Sequence, residues 1–138
     1  MTATMITVET LINAHIDTVW EKWISPEEIM QWYNASPDWH APKAENDVRN
    51  GGKFLTRMEA KDGSFGFDFI GEYNSVKPKE SLEITLGDDR TMTVIFEVIG
   101  NETKVTEIFE AEKENPVEMQ KAGWQAILDN FKKHVESN

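Results

Sequence analysis

The stretch that most restricts how this chain can fold is its last one, PVEMQKAGWQAILDNFKKHV, running from Pro116 to Val135. Val117, Trp124, Ile127, Leu128, Phe131 and Val135 recur at helical spacing and make one apolar stripe. Asn115 and Pro116 read as an N-cap and a first-turn proline, with Glu118 placed to suit the positive end of the helix dipole. Lys132, Lys133 and His134 suit the negative end. A helix of this length spans about 30 Å, the width of a small domain. Its stripe must be covered, and nearly everything before it reads as strand. The expectation is one long helix lying across a curved sheet.

At the other end of the chain, Ile6 to His15 alternates as a first strand. Asp17 then caps a short helix with Val19, Trp20, Trp23 and Ile24 on one side. Ser25, Pro26 and Glu28 form the capping box of a second short helix, whose apolar side is Ile29, Met30, Trp32 and Tyr33. NASPDWHAPKAEN carries two prolines and reads as a loop, with Trp39 and His40 in its middle. From Asp47 onward, turn signals at Asn50-Gly51-Gly52, Lys61-Asp62-Gly63, Lys77-Pro78, Gly87-Asp88-Asp89 and Gly100-Asn101 separate five short strands, a meander of hairpins. No repeat, low-complexity segment or linker interrupts it, so residues 1–138 are read as a single domain.

Strict alternation assigns the strand faces. Phe54, Thr56 and Met58 share one face, as do Phe65, Phe67 and Phe69, then Leu82, Ile84 and Leu86, then Met92, Val94, Phe96 and Val98. These sets should point toward the helix. Lys53, Arg57, Glu59, Asp68, Glu72, Glu83, Thr93 and Glu97 occupy the opposite, solvated face. The last strand breaks the rule. If Val105 and Phe109 point inward, Glu107 does too, and a buried carboxylate must be paired, hydrogen-bonded, protonated or wet. The alternative inner set is Thr106, Ile108 and Glu110, with Glu107 solvated at an edge.

Charge and composition exclude several functions. A formal charge of -11 is wrong for nucleic acid or an anionic membrane surface. The absence of cysteine removes disulfides, thiolate nucleophiles and zinc-thiolate sites, and fits a reducing cytoplasm. MTATMITVET shows no leader pattern, and no apolar run approaches a membrane span. His15, His40 and His134 lack the close spacing of metal ligands, and no cofactor fingerprint, P-loop or nucleophile elbow is present.

The order of the segments resembles a known superfamily. HIDTVWEKWISPEEIMQWY, the Gly51-Gly52 pair leading into a strand, DGSFGFDFIGEY, and GWQAILDNFKKHV after an Asn-Pro are together similar to the START-like (Bet v-like, or SRPBCC) superfamily. Within it they most resemble the branch named for activators of the heat-shock-protein-90 ATPase. The resemblance implies an α+β helix-grip fold. In that fold a six-stranded antiparallel sheet wraps a long C-terminal helix, with a cavity for a hydrophobic or amphipathic ligand between helix and sheet.

In such a cavity the expected lining is Trp39, His40, Phe54, Met58, Phe67, Phe69, Met92, Phe96, Glu107, Phe109, Trp124 and Phe131, mostly apolar with a few placed polar groups. Gly123 beside Trp124 is expected to let the helix backbone approach closely, and the Trp39-His40 loop to act as a lid. The same residues at strand and helix spacing also suit ordinary core. The function expected is binding of a small hydrophobic or amphipathic molecule, with Glu107 and His40 orienting it. One alternative is a protein-interaction module of the co-chaperone kind. Another is a cyclase or hydrolase using Glu107 with His40 as an acid/base pair.

Overall fold

The computed structural model describes residues 4–137; residues 1–3, on which the expectation of no leader partly falls, and Asn138 lie outside the described residues. Strand β1 (Met5–Ile12) is followed by helices α1 (Ile16–Ile24) and α2 (Pro26–Trp32). Six strands come next: β2 (Trp39–Asn46), β3 (Lys53–Ala60), β4 (Gly66–Lys77), β5 (Ser81–Leu86), β6 (Thr91–Ile99) and β7 (Glu102–Glu110). Helix α3 (Val117–Glu136) closes the chain. The strands form one antiparallel sheet in the order β1-β7-β6-β5-β4-β3-β2, a curled half-barrel that grips the helices. This is an α+β helix-grip fold.

The sheet has seven strands and not six, because the proline-bearing loop is strand β2. Pro42 cannot donate to a ladder, yet β2 is an edge strand and its register shifts between His40 and Lys43, so the proline sits in a bulge. The turn chemistry before β3 is specific. Gly51 has φ +82°, and a Cβ on Gly52 would run into the Asp47 carbonyl, so the pair suits glycine for two separate reasons.

Cap details differ from the sequence reading. His15, not Asp17, is the N-cap of α1, its Nδ1 accepting from the Asp17 N–H at 3.3 Å. Ser25 does precede Pro26, but Glu28 does not reach back to form a capping box. Its Oε1 instead accepts from Lys22 Nζ at 3.1 Å and meets His134 Nε2 at 2.6 Å, tying the start of α2 to the end of α3. Pro116, not Asn115, precedes α3. The buried Gln120 organises that junction: its amide donates to the Glu112 and Asn115 carbonyls, and its oxygen accepts from the Glu112 N–H.

Alternation placed the inner faces as expected in the middle of the sheet. Thr56, Met58, Leu82, Ile84, Leu86, Met92, Val94 and Phe96 are all buried. It failed where strands outrun the helices: Phe65 is 61% exposed, Val98 61% and Phe67 40%. Val117, at the start of the helical stripe, is likewise exposed, whereas Leu128, Phe131 and Val135 are buried. The three helices share the concave face. α3 packs along β1 and touches α1 and α2, while α2 leans on β2. Trp23, Trp32 and Phe131 interlock there, with ring centroids 4.6–5.1 Å apart, and join the helices into one layer.

Candidate functional site

A hollow of about 50 Å³ remains between this helical layer and the sheet. Its roof is Trp23 of α1 and Ile29 and Trp32 of α2, with Tyr33 just beyond. Its floor is Phe54 and Thr56 of β3, Phe69 and Tyr73 of β4, Ile84 of β5, Met92 and Val94 of β6, and Glu107 of β7; Asn46 of β2 closes one side. The volume suits a few water molecules, well below the range of about 300–1,000 Å³ typical of ligand pockets. The partly buried rings of Tyr33, Phe54 and Phe69 form its rim, whereas the remaining liners, Asn46 apart, are buried.

Glu107 is the chemically unusual member. The inward reading of β7 holds: Val105 and Phe109 are fully buried and Glu107 is 4% exposed. Its register partners are Val8 on β1 and Val94 on β6, so apolar side chains flank it on both neighbouring strands. Among the described residues, none hydrogen-bonds to or pairs with its carboxyl. Burial pushes the Glu107 carboxyl up to about 8, because the charged form has lost water and gained no compensating partner. At neutral pH it is therefore mostly a neutral acid, able to donate a hydrogen bond.

Thr56 contributes a buried hydroxyl to the floor, and the remaining polar liners divide into two kinds. Tyr73 donates its hydroxyl to Asn46 Oδ1 at 2.6 Å, and Asn46 Nδ2 donates to the Ile24 carbonyl at 2.8 Å. That chain fastens the end of α1 to β2 and β4 and is internally satisfied. Tyr33 is different: burial first, then the charges of Glu107 and Tyr73, hold its phenol well above the usual value. It stays protonated. Tyr33 stacks at 29° on Phe69, with ring centroids 5.9 Å apart.

Of the residues expected to line a cavity, Phe54, Phe69, Met92 and Glu107 do so. The rest fall elsewhere. Phe96 packs edge-on against Trp20 and Trp23, and Phe131 against Trp23 and Trp32, as core. Phe109 stacks on Trp124 at 3.8 Å and 15°, and Met58 is buried without reaching the hollow. The reason is shared: the void lies under α1 and α2, not under α3, so the α3 side chains fill their own space. Gly123 is not a point of close approach, since a Cβ there would meet nothing within 4 Å.

Trp39 and His40 are not a lid. As part of β2 they alternate, so His40 is exposed opposite Glu59, 3.9 Å from its carboxylate, while Trp39 touches Phe65 and Phe67. The Glu107–His40 acid/base pair is not assembled. Trp23, Ile29, Trp32, Tyr33, Thr56, Ile84 and Val94 were legible as apolar faces but not as a cavity. Asn46 and Tyr73 carried no sequence signal, because their pairing is across strands. Among the described residues, no group of three or more His, Asp or Glu side chains gathers to hold a metal ion. No helix among them is long and apolar enough to cross a membrane.

Comparison with known proteins places this architecture. The family described as activator of Hsp90 ATPase homolog 1-like protein matches residues 13–136. The chain belongs to that family. A solution structure of an AHSA1-like protein from Aeromonas hydrophila is 41% identical, covers 97% of this chain and 93% of its own, and superposes with a TM-score of 0.91. A solution structure from Cytophaga hutchinsonii is 48% identical over 96% of this chain and 92% of that one, TM-score 0.84. A crystal structure from Chromobacterium violaceum, 20% identical with TM-score 0.85 over 97% and 98% of the two chains, shares the same fold. No functionally curated protein matches. Membership of the AHSA1-like family is consistent with a ligand-binding or co-chaperone-like module.

Proposed function

We propose that this AHSA1-like protein binds a small hydrophobic or amphipathic molecule, with its polar end in the hollow beside Glu107. The observation that carries the reading is a 4%-exposed carboxyl without a protein partner among the described residues, set in an aromatic-lined void. Among the described residues no fully sealed side-chain oxygen lacks a partner, so the Glu107 oxygens face the hollow, where a bound group can reach them. Because the void is only about 50 Å³, it takes a polar tip, and the ligand body displaces the rim rings of Phe54 and Phe69. The cysteine-free, acidic chain fits this role in the cytoplasm. The test is native mass spectrometry of protein purified under mild conditions, followed by organic extraction. A released small molecule that is lost on Ile84→Trp, which fills the void, supports the reading; an empty protein that also takes up no hydrophobic ligand from a screen refutes it.

A second reading, a protein-interaction module, has its own observation. Trp39, Phe65 and Phe67 touch one another with centroids 6.0–6.1 Å apart, and the two phenylalanines are 61% and 40% exposed at the β3–β4 turn. Exposed aromatics in contact are the usual anchors of protein interfaces. Capture of a heat-shock-protein-90 chaperone that is abolished by Phe65→Ser and Phe67→Ser would favour this reading, whereas capture indifferent to both would remove it.

A further inference from the structure

The polar groups facing the hollow define what chemistry it accepts. Asn46 and Tyr73 satisfy each other and the Ile24 carbonyl. Glu107 and Tyr33 do not: among the described residues neither side chain has a hydrogen-bond partner, and a charge on Glu107 would oppose one on Tyr33. The buried Thr56 hydroxyl also faces the hollow and, able to donate or accept, does not select the ligand class. Among the described residues, no lysine, arginine, histidine or aspartate lines the void from any of the elements packed around it; Tyr33 on the helical side and Tyr73 and Glu107 on the sheet are its titratable groups there. An anionic ligand group would therefore find no cation. An ammonium would need Glu107 ionised among valines, a buried ion pair whose desolvation its attraction must repay.

We propose that the ligand group seated here is a carbonyl oxygen, held by the Glu107 carboxyl and the Tyr33 hydroxyl as paired hydrogen-bond donors. A carbonyl oxygen has two lone pairs and no proton, which complements two donors that lack acceptors. The aromatic rim then receives the apolar body. A protonated acid beside a tyrosine in an apolar cavity is an established way of binding a carbonyl oxygen in other proteins. The proposal rests on the binding reading above and names the class of ligand.

The test uses three probes of one shape: acetophenone, 1-phenylethylamine and cumene, which present a carbonyl, an ammonium and a methyl at the same position. Methyl NMR of the full chain reads binding at Ile84, Met92 and Val94. Acetophenone is expected to bind at least about tenfold more tightly than cumene, the value of one hydrogen bond. Its affinity should fall as pH rises above about 8, when Glu107 loses the donated proton. Glu107→Gln, which keeps a neutral donor, should retain binding and remove the pH dependence. Tyr33→Phe should weaken acetophenone about tenfold and leave cumene unchanged. Tighter binding of the amine, or equal binding of cumene, overturns the carbonyl assignment while leaving a ligand site in place. Perturbation by none of the three overturns the site itself.

Discussion

Replacing Glu107 by glutamine isolates the cost of keeping this acid inside the fold. Its native value of about 8 lies above the ordinary carboxylate value of 4.5, so between those limits the native state holds a proton that the unfolded chain has released. Stability is then complete below pH 4.5, declines as pH rises through the window, and levels off above about 8. Each pH unit across that window is worth about 1.4 kcal/mol, so the proton-linked penalty is about 1 kcal/mol at pH 5, about 3 kcal/mol at pH 7 and about 5 kcal/mol at pH 9. Glutamine does not titrate and escapes it. Urea unfolding of both proteins at the three pH values measures the difference directly, and the two curves should separate by about 4 kcal/mol between pH 5 and pH 9. Any fixed cost of seating the amide cancels from that comparison. A difference independent of pH would refute the buried, unpartnered placement of the carboxyl, and with it the hydrogen-bond chemistry assigned to the hollow.

Other substitutions test the surrounding frame. Trp124→Ala removes the face-on stack with Phe109 and the edge contact with Phe69, and should cost about 2–3 kcal/mol in urea unfolding; a loss under about 0.5 kcal/mol would show that the stack is incidental. Glu28→Gln weakens the tie between α2 and α3. The His134 hydrogen bond and then Lys22 hold the Glu28 carboxyl below its usual range, so the substitution should cost about 1–2 kcal/mol at pH 7. That difference should fade as pH falls through the depressed native value, and an equal effect at pH 7 and pH 3 would contradict it. Gly71→Ala places a Cβ 2.6 Å from the Phe54 ring and 3.1 Å from the Ile84 Cγ2, so it should destabilise by about 1–3 kcal/mol and shift the Ile84 methyl resonances. Unchanged Ile84 shifts would mean that the rim ring yields without disturbing the hollow.

The hollow's small size follows from the helical layer. Trp23 and Trp32 bring two indoles to the roof, and Trp32 is locked by its Nε1 donating to the Lys22 carbonyl at 3.1 Å. Asn130 on α3 donates to the Trp32 carbonyl at 2.8 Å, which holds the end of α2 against the long helix. The roof is thus pinned at its polar atoms, while Phe54 and Phe69 at the rim are held by ring packing alone. Enlargement of the site is expected at the rim first, since packed rings shift rotamers more readily than hydrogen-bonded ones.

Local pattern was enough to determine the meander, the inner faces of the central strands and the long terminal helix; it left Glu107 between an inward and an edge placement, which the fold decided. The features it determined rest on a period of two or 3.6 residues that burial enforces within one element. It was not enough for β2, because an edge strand tolerates a proline in a bulge that a central strand would reject. Nor could it say which buried side chains are core and which line a void. Phe96, Phe131 and Trp124 carry the same apolar signal as Phe54 and Phe69, and only the lean of α1 and α2 over the sheet separates them. The polar half of the site was decided by tertiary structure as well. Tyr73 becomes unavailable by bonding to Asn46, 27 residues away, whereas Glu107 is left without a partner among the described residues because valines flank it on both neighbouring strands. Periodicity reports which way a side chain points; what it meets there depends on distances between segments far apart in the chain.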